Sequence, residues 1–202
     1  MNASRKTKKR AEILAGAQRV FVREGFDGAS MDEVAREAGV VKPTLYNHFR
    51  DKNSLYIAVV EYALTKTRAA IFPPDIRDMS AADAIEKIAK RLTAMFGRDD
   101  DVLELCRICI GGYQRFPSGS ATFMLHGPQR GSAEINDLIQ LWCERGELVC
   151  EDPHLAAQQL GELCKVGIWD PRLYGERGKI SEEECGHIAV EAAATFMARY
   201  SA

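Results

Sequence analysis

The chain has 202 residues, 46% of them hydrophobic, which suffices for one large domain or for a small and a medium-sized one. No run of about 18 apolar residues is present, which excludes a membrane-spanning helix. The basic start MNASRKTKKR is not followed by the apolar segment of a secretory signal. We therefore expect a cytoplasmic protein with no membrane partner, in which the six cysteines stay reduced.

The net charge of -2 is unevenly distributed along the chain. Residues 1–52 contain 11 Lys and Arg against 7 Asp and Glu, whereas residues 53–202 contain 16 basic and 22 acidic residues. A basic N-terminal segment before an acidic remainder favours a first part that meets a polyanion. We accordingly predict two domains, over residues 1–52 and 53–202.

The first predicted helix runs from about Thr7 to Glu24 and is stopped by Gly25. Its apolar face recurs at spacings of three and four residues and consists of Ile13, Leu14, Ala17, Val20 and Phe21. A basic segment precedes it, formed by Arg5, Lys6, Lys8, Lys9 and Arg10. This segment is compatible with a flexible arm that follows phosphates or enters a minor groove, and equally with a disordered solubilising tail.

Two short helices joined by a glycine turn come next. Ser30 and Glu33 form a capping box at the start of the second helix. Gly39 ends that helix, because glycine readily adopts the left-handed turn, and Pro43 lies in the first turn of the third helix. The order of helix, glycine turn and helix predicts a DNA-binding helix-turn-helix.

The third helix carries the polar side chains of this motif. Leu45 and Phe49, four residues apart, are expected to pack onto the second helix, so that the remaining side chains point outward. These outward residues are Lys42, Thr44, Tyr46, Asn47 and His48. Their groups suit phosphate oxygens and base edges, and Lys52 at the start of the fourth helix is expected to add a phosphate contact. An ordinary solvated helix face is the alternative interpretation.

The segment MDEVAREAGVVKPTLYNHFRDKNSLY, residues 31–56, resembles the DNA-binding signature of the TetR family of bacterial transcription regulators. The resemblance implies phosphate contacts by Thr44, Tyr46, His48 and Lys52. It implies base contacts by Lys42, Pro43 and Asn47. Val41 departs from the pattern, since the family usually has a serine or threonine there, and the missing cap is worth about 1 kcal/mol.

Beyond Lys52 the periodicity predicts helices only, so the expected fold class is all-α. A three-helix DNA-binding domain is followed by a linking helix that runs to Ile71, before Pro73 and Pro74. Residues 107–117 and 144–160 resemble the AefR-like C-terminal effector domain of TetR regulators. The pair Gly111-Gly112 stands where a stiffer pair is expected, so it either kinks its helix or makes room for a ligand.

The family resemblance implies a homodimer in which the last two helices pair with their symmetry mates, and hence a palindromic operator in double-stranded DNA. The apolar positions expected at this interface are Leu160, Leu163, Ile188 and Phe196. The alternative is that these residues only fill the core of a monomer. A mostly apolar cavity for a small-molecule effector is also expected, with candidate lining residues Met95, Phe96, Arg107, Ile110, Tyr113, Phe123, His126, Trp142 and Trp169.

The predicted function is therefore a transcriptional repressor that a small, largely apolar effector releases from its operator. Two alternatives remain. The first is a redox- or metal-responsive regulator, because Cys106 and Cys109 lie on one helix face and Cys143 or His126 could complete a metal site. The second is a helical adaptor protein, which would need no operator. The chain has no glycine-rich phosphate loop, nucleophile elbow or His-x-x-x-His pair, so we expect no catalysis, no cofactor and no metal.

Overall fold

The computed structural model describes the backbone of residues 2–202 and the side chains of residues 7–202. Within this range the chain is built from α-helices, and its one extended pairing is an isolated antiparallel bridge between Leu148 and Ser201. The all-α prediction is confirmed. The helices are α1 (Asn2–Gly28), α2 (Met31–Glu37), α3 (Lys42–His48), α4 (Lys52–Ile71), α5 (Ala81–Arg98), α6 (Asp100–Gly112), α7 (Pro117–Met124), α8 (Arg130–Glu144), α9 (Pro153–Leu163), α10 (Trp169–Leu173) and α11 (Glu182–Tyr200).

Helix α1 is longer at both ends than the sequence predicted. Gly25 interrupts it with φ 69° and ψ 177°, so the predicted stop is a kink, and the helix ends at Gly28. The backbone of the basic N-terminal segment is helical from Asn2 onward, which neither interpretation of it as an unstructured arm or tail anticipated. The side chains of Arg5 and Lys6 lie outside the described residues.

The first compact unit contains the residues up to Thr65 together with Glu104–His126. It combines α1, α2, α3 and most of α4 with most of α6 and with α7, and is therefore larger than the predicted domain of residues 1–52. Its most completely buried side chains include Ile13, Leu14, Val20, Phe21, Leu45, Leu55, Tyr56, Val59 and Leu105. These residues hold the three N-terminal helices and the start of α4 in one apolar core.

The second compact unit contains Lys66–Leu103 and Gly127–Ala202. Its core is formed by α5, α8, α9 and α11, through Ile85, Ile88, Leu92, Ile135, Leu138, Ile139, Trp142, Leu160, Ala192 and Phe196. Arg172, only 1% exposed, ties α10 to this unit by donating to the carbonyl of Phe96 at 2.7 Å and to the carboxylate of Asp100 at 2.5 Å. These charge-assisted bonds offset the cost of burying a guanidinium.

Two helices of the second unit, α5 and α11, begin with serine caps. Ser80 accepts a hydrogen bond from the amide of Asp83 at 3.2 Å, and Ser181 accepts one from the amide of Glu184 at 3.1 Å. A π-helix over Leu125–Gln129 separates α7 from α8. None of the helices in the described part of the chain combines the length and the apolar composition needed to cross a membrane.

Candidate nucleic-acid interface

The turn between α2 and α3 is built from local signals. Ser30 caps α2 by accepting a hydrogen bond from the amide of Glu33 at 3.2 Å. Gly39 adopts φ 61°, the left-handed region that a residue with a Cβ enters only at a cost, and the amide of Val40 then bonds the carbonyl of Ala35 at 2.9 Å. The chain reverses at this point, as the sequence predicted.

Helix α3 is anchored by two side chains and presents the rest to solvent. Leu45 is fully buried and Phe49 is 4% exposed, in agreement with the prediction that these two residues pack inward. Tyr46 is 44% exposed. Of the other predicted contact residues on this helix, Lys42, Pro43 and Asn47 are exposed, while Thr44 and His48 are half-buried. The outward placement of this polar face is confirmed.

An ion pair joins α2 to α3 at the edge of this face. Lys42 Nζ lies 2.7 Å from Asp32 Oδ1, and this hydrogen-bonded partner raises the pKa of the lysine. Because both side chains are more than half exposed, water screens the pair and it contributes little to stability. The pair does hold the ammonium beside the first turn of α3 in a charged form at any physiological pH.

Lys52 does not point toward solvent as a phosphate-contacting side chain would. Its ammonium donates to the carbonyls of Phe26 at 2.8 Å, of Ala29 at 3.1 Å and of Asp27 at 3.3 Å, and it lies 4.7 Å from the ring centroid of Phe26. An ammonium has three protons, so these three bonds use its full donor capacity. This geometry corrects the predicted role of Lys52: the residue links the start of α4 to the end of α1.

Two side chains of the basic N-terminal segment contact neighbouring residues. Lys9 Nζ lies 3.0 Å from Glu12 Oε2, and the guanidinium of Arg10 lies 5.2 Å from the ring centroid of Phe49. Lys8 is exposed. Arg10 therefore packs over the same ring that anchors the end of α3, which places positive charge of α1 beside the exposed helix.

The nine residues predicted to line an effector cavity divide between the two compact units, with Arg107, Ile110, Tyr113, Phe123 and His126 in the first and Met95, Phe96, Trp142 and Trp169 in the second. Trp142 is fully buried in the core of the second unit, where its Nε1 donates to the carbonyl of Met79 at 3.4 Å, and Phe123 is buried as well. Ile110 and Tyr113 are 55% and 58% exposed. The remaining members are half-buried: Met95, Phe96, Arg107, His126 and Trp169.

Four of these half-buried residues have partners within their own unit, and one of them is Arg107, whose guanidinium pairs with the carboxylate of Glu104. The rings of Phe96 and Trp169 pack edge to face with centroids 5.2 Å apart, as core aromatic pairs do. His126 Nε2 lies 3.6 Å from Glu61 Oε1. Met95 does line a cleft of about 650 Å³ in the second unit, but the other walls of that cleft are largely charged, through Arg91, Arg98, Asp99, Asp100, Asp101 and Lys179.

A smaller cavity of about 310 Å³ lies within the first unit, and none of the nine predicted residues lines it. Its walls include Phe26, Tyr56, Cys109, Gly112, Arg115 and Phe116. Helix α6 ends at Gly112, which lines this cavity. The glycine pair at the helix end was the one sequence signal for it, since the aromatic walls come from segments far apart in the chain.

The cysteine pair is placed unfavourably for sensing. Cys106 and Cys109 are buried, and burial raises the pKa of the Cys109 thiol despite its 3.2 Å hydrogen bond with the hydroxyl of Tyr56. The thiolate is the reactive form, so a raised pKa lowers reactivity at neutral pH. Among the side chains described, no group of three or more His, Cys, Asp or Glu residues is arranged to hold a metal ion.

The predicted dimer residues divide into two groups. Leu160 is fully buried and Phe196 is 1% exposed, both in the core of their own unit, so their assignment to a dimer interface is wrong. Leu163 and Ile188 are half-buried against that unit's apolar clusters. The exposed apolar side chains of this region are Leu155, Val166 and Val190, at 47%, 63% and 50% exposure.

A capped helix, a left-handed glycine and a short helix with an exposed polar face define the helix-turn-helix class of DNA-binding proteins. The comparisons with known proteins give the family. The sequence profile described as "Bacterial regulatory proteins, tetR family" matches residues 13–59, and the profile described as "AefR-like transcriptional repressor, C-terminal domain" matches residues 83–202. The chain belongs to the tetR family of bacterial regulatory proteins, which confirms the predicted resemblance and the expectation that it is not an enzyme.

Individual relatives match shorter parts of the chain. The transcriptional activator FasR of Mycolicibacterium smegmatis is 49% identical over 53 residues, which are 26% of this chain and 24% of FasR. The transcriptional repressor Rv1474c of Mycobacterium tuberculosis is 33% identical over 90 residues, 42% of this chain and 48% of that protein. The chain thus matches less than half the length of these two relatives.

Solved structures match over nearly the full length. A chain from Mesorhizobium loti described as a TetR-family transcriptional regulator superposes with a TM-score of 0.87 at 27% identity, covering 98% of this chain and 99% of that one. The flavonoid-responsive regulator FrrA superposes with a TM-score of 0.78 at 22% identity, covering 96% and 98%. The second likeness concerns the fold alone.

Proposed function

We propose that this protein is a homodimeric transcriptional repressor that binds a palindromic operator through α3 and leaves it when a small molecule binds. The observation that carries this proposal is the exposed polar face of α3, held by the buried Leu45 and Phe49. A seven-residue helix that buries only Leu45, with Phe49 directly after its end, has its remaining side chains available for a major groove. The AefR-like repressor profile over residues 83–202 supports repression as the outcome.

We assign two kinds of DNA contact to this face. Thr44, Tyr46 and His48 are assigned to phosphates, which fix the position of the protein on the duplex. Lys42, Pro43 and Asn47 are assigned to base edges, where sequence is read. In the absence of DNA, the Lys42 ammonium is paired with Asp32. To contact a base it must leave this carboxylate, and the exposure of both side chains permits the exchange.

We assign dimerisation to the outer faces of α9 and α11. Leu155 and Val190 lie on these faces at 47% and 50% exposure, whereas the buried stripes of the same helices fill the unit's own core. Helices α9 and α11 pack on each other. When this pair meets the same pair of a second copy, the four helices are related by a two-fold axis. The two α3 helices of such a dimer reach half-sites about 34 to 36 Å apart, or a multiple of this.

The release step follows from linkage between the two ligands. An effector that weakens operator binding must itself bind more weakly to the DNA complex, with a coupling free energy of about 1 to 3 kcal/mol. Helix α4 is the element suited to carry this coupling, because it runs without interruption from Lys52 to Ile71 and contributes to both compact units.

The proposal is tested by selecting duplexes that the full-length chain retains from a random pool. A repressor of this kind enriches a palindrome, and Asn47→Ala then relaxes the preference at one or two bases by about 1 to 3 kcal/mol, while Tyr46→Ala weakens binding to all sequences alike. Arg77→Ala, an exposed cation outside the DNA-binding helices, is the matched control and leaves affinity unchanged. Enrichment of no sequence would instead identify a helical adaptor and end the proposal.

A further inference from the structure

The cavity in the first unit is walled on one side by three aromatic rings. Phe26 and Phe116 are stacked with centroids 4.8 Å apart, and Tyr56 lies edge-on to Phe26 at 5.2 Å. Gly119 permits this approach, because a Cβ there would lie 2.6 Å from the ring of Phe116 and 3.0 Å from that of Tyr56. The rings are therefore held at fixed positions around an open space.

Gly111 and Gly112 line the cavity where α6 ends, so this part of the wall has no side chains. A Cβ added at either glycine would meet no other atom within 4 Å, so the space beside this backbone is open. The cavity volume of about 310 Å³ lies at the lower end of the range of about 300 to 1,000 Å³ found for small-molecule sites. A molecule of one or two rings matches this size.

The charged and hydroxyl side chains in the cavity walls have partners; the carboxylate of Glu24, for example, accepts from Arg23 Nε at 2.7 Å. Tyr56 and Cys109 share a hydrogen bond, and the Ser120 hydroxyl donates to the carbonyl of Cys109 at 2.6 Å. At the rim, Arg115 lies 3.0 Å from Asp27. A charged ligand would lose hydration without gaining a free counter-charge, so the walls suit an uncharged aromatic molecule.

Phe26 connects this cavity to the DNA-binding helices. Its ring lines the cavity and lies 4.7 Å below the ammonium of Lys52, while its carbonyl accepts the shortest of the three bonds that this ammonium donates. A ligand that moves the ring of Phe26 therefore alters the contact that links the end of α1 to the start of α4. Helix α3 lies between these two elements in the chain.

We propose that this cavity binds a small, uncharged aromatic molecule and that its occupancy is transmitted to α3 through Phe26 and Lys52. The binding site stands independently of any operator, whereas the regulatory part rests on the proposed function. The site is distinct from the charged cleft of the second unit that contains Met95.

The experiment uses calorimetric titration of the full-length protein with 1-naphthol, and with tetraethylammonium as a charged probe. The wild-type chain binds 1-naphthol and not tetraethylammonium. Gly112→Leu places a side chain into the unfilled space and weakens 1-naphthol binding about tenfold or more, because the ligand and the leucine compete for one volume. Gly131→Leu is the matched control, since Gly131 is also a helical glycine with no atom within 4 Å of its Cβ position and lies outside the cavity. This variant should bind 1-naphthol with the affinity of the wild type.

A second variant tests the transmission. Lys52→Met retains 1-naphthol binding but removes the bonds to the α1 carbonyls, so the ligand no longer changes the protein's affinity for the selected duplex. In the wild-type protein the same ligand weakens that affinity by about 5- to 150-fold, the usual range of coupling between sites. An equal response in Lys52→Met and wild type overturns the assigned route.

The outcomes separate the two proposals. Absence of 1-naphthol binding, equal binding to Gly112→Leu, or preferential binding of tetraethylammonium each overturns the cavity assignment, whatever the duplex selection shows. If instead no duplex is enriched while 1-naphthol binds and Gly112→Leu blocks it, the proposed function fails and the site remains.

Discussion

At the scale of single residues, Lys52 shows how a charge near a DNA-binding helix can serve the fold. Its ammonium fills three acceptor positions left open at the end of α1, where carbonyls lack intrahelical donors. A cation at a helix C-terminus is also favoured by the helix dipole. Lys42, in contrast, is paired only with an exposed carboxylate and is available for exchange.

We expect Lys52→Met to lower the free energy of unfolding by about 1 to 3 kcal/mol, because several hydrogen bonds to a charged donor are lost. The salt dependence of operator affinity should keep its slope, since no phosphate contact is removed. Lys42→Met should instead leave the free energy of unfolding unchanged and lower the affinity for the operator. Urea unfolding and binding titrations at several salt concentrations measure both quantities.

Arg50→Met controls for loss of a neighbouring cation, since the Arg50 side chain is 93% exposed and lies between α3 and α4. It should change the unfolding free energy by less than about 0.5 kcal/mol. A salt slope reduced by about one in Lys52→Met, with unaltered stability, would restore this lysine to the phosphate-contacting set.

At the scale of elements, α3 is a short helix with an incomplete start. Val41 occupies its N-cap position in an extended conformation and offers no side-chain acceptor, so in the first turn only the Val41 carbonyl accepts, from the amide of Thr44 at 2.9 Å. Pro43 removes one of the unsatisfied amides, which offsets part of the deficit. The helix is thus held mainly by Leu45 and Phe49.

Val41→Ser should stabilise the protein by about 1 kcal/mol, since Val41 is 67% exposed and the serine hydroxyl can accept from an amide of the first turn. The gain is measured as a shift of the urea midpoint. Val149→Ser is the matched control, because Val149 is 64% exposed but does not cap a helix. If both variants shift the midpoint equally, capping is not the cause.

At the scale of the whole molecule, the helices α9 and α11 each combine a buried apolar surface with one large exposed apolar side chain. The buried surface joins α5 and α8 in one core, and α11 makes its most extensive helix contact with α5. The outer surface contains Leu155 and Val190 and has no partner within the described chain. Exposed apolar side chains on paired helices are typical of an interface between subunits.

Val190→Glu should therefore give a folded monomer with much weaker operator binding, because two linked half-sites can no longer be engaged together. Phe196 lies on the buried face of the same helix, so Phe196→Ala should instead destabilise the protein by about 3 to 5 kcal/mol through loss of core packing. Sedimentation and urea unfolding distinguish the two effects. Val149→Glu, the same change at an exposed valine outside these helices, should remain dimeric. A dimeric Val190→Glu would place the interface elsewhere.

Much of the DNA-binding end could be predicted from the sequence, because its signals are local. The Ser30 cap, the left-handed Gly39 and the buried pair Leu45 and Phe49 all depend on residues within a few positions of one another. The cavity depends on rings from residues 26, 56 and 116, and no spacing rule links segments so far apart.

The sequence by itself determined the helical class, the order of the helices, the turn that presents α3 and the family. Tertiary structure alone decided that Lys52 binds the end of α1, that Phe196 is core and Val190 is surface, and that a cavity lies beside Gly112. The physical reason is range: propensity, capping and periodicity act within a few turns of one helix, whereas the partner of an apolar stripe or an ammonium is chosen by packing among distant segments.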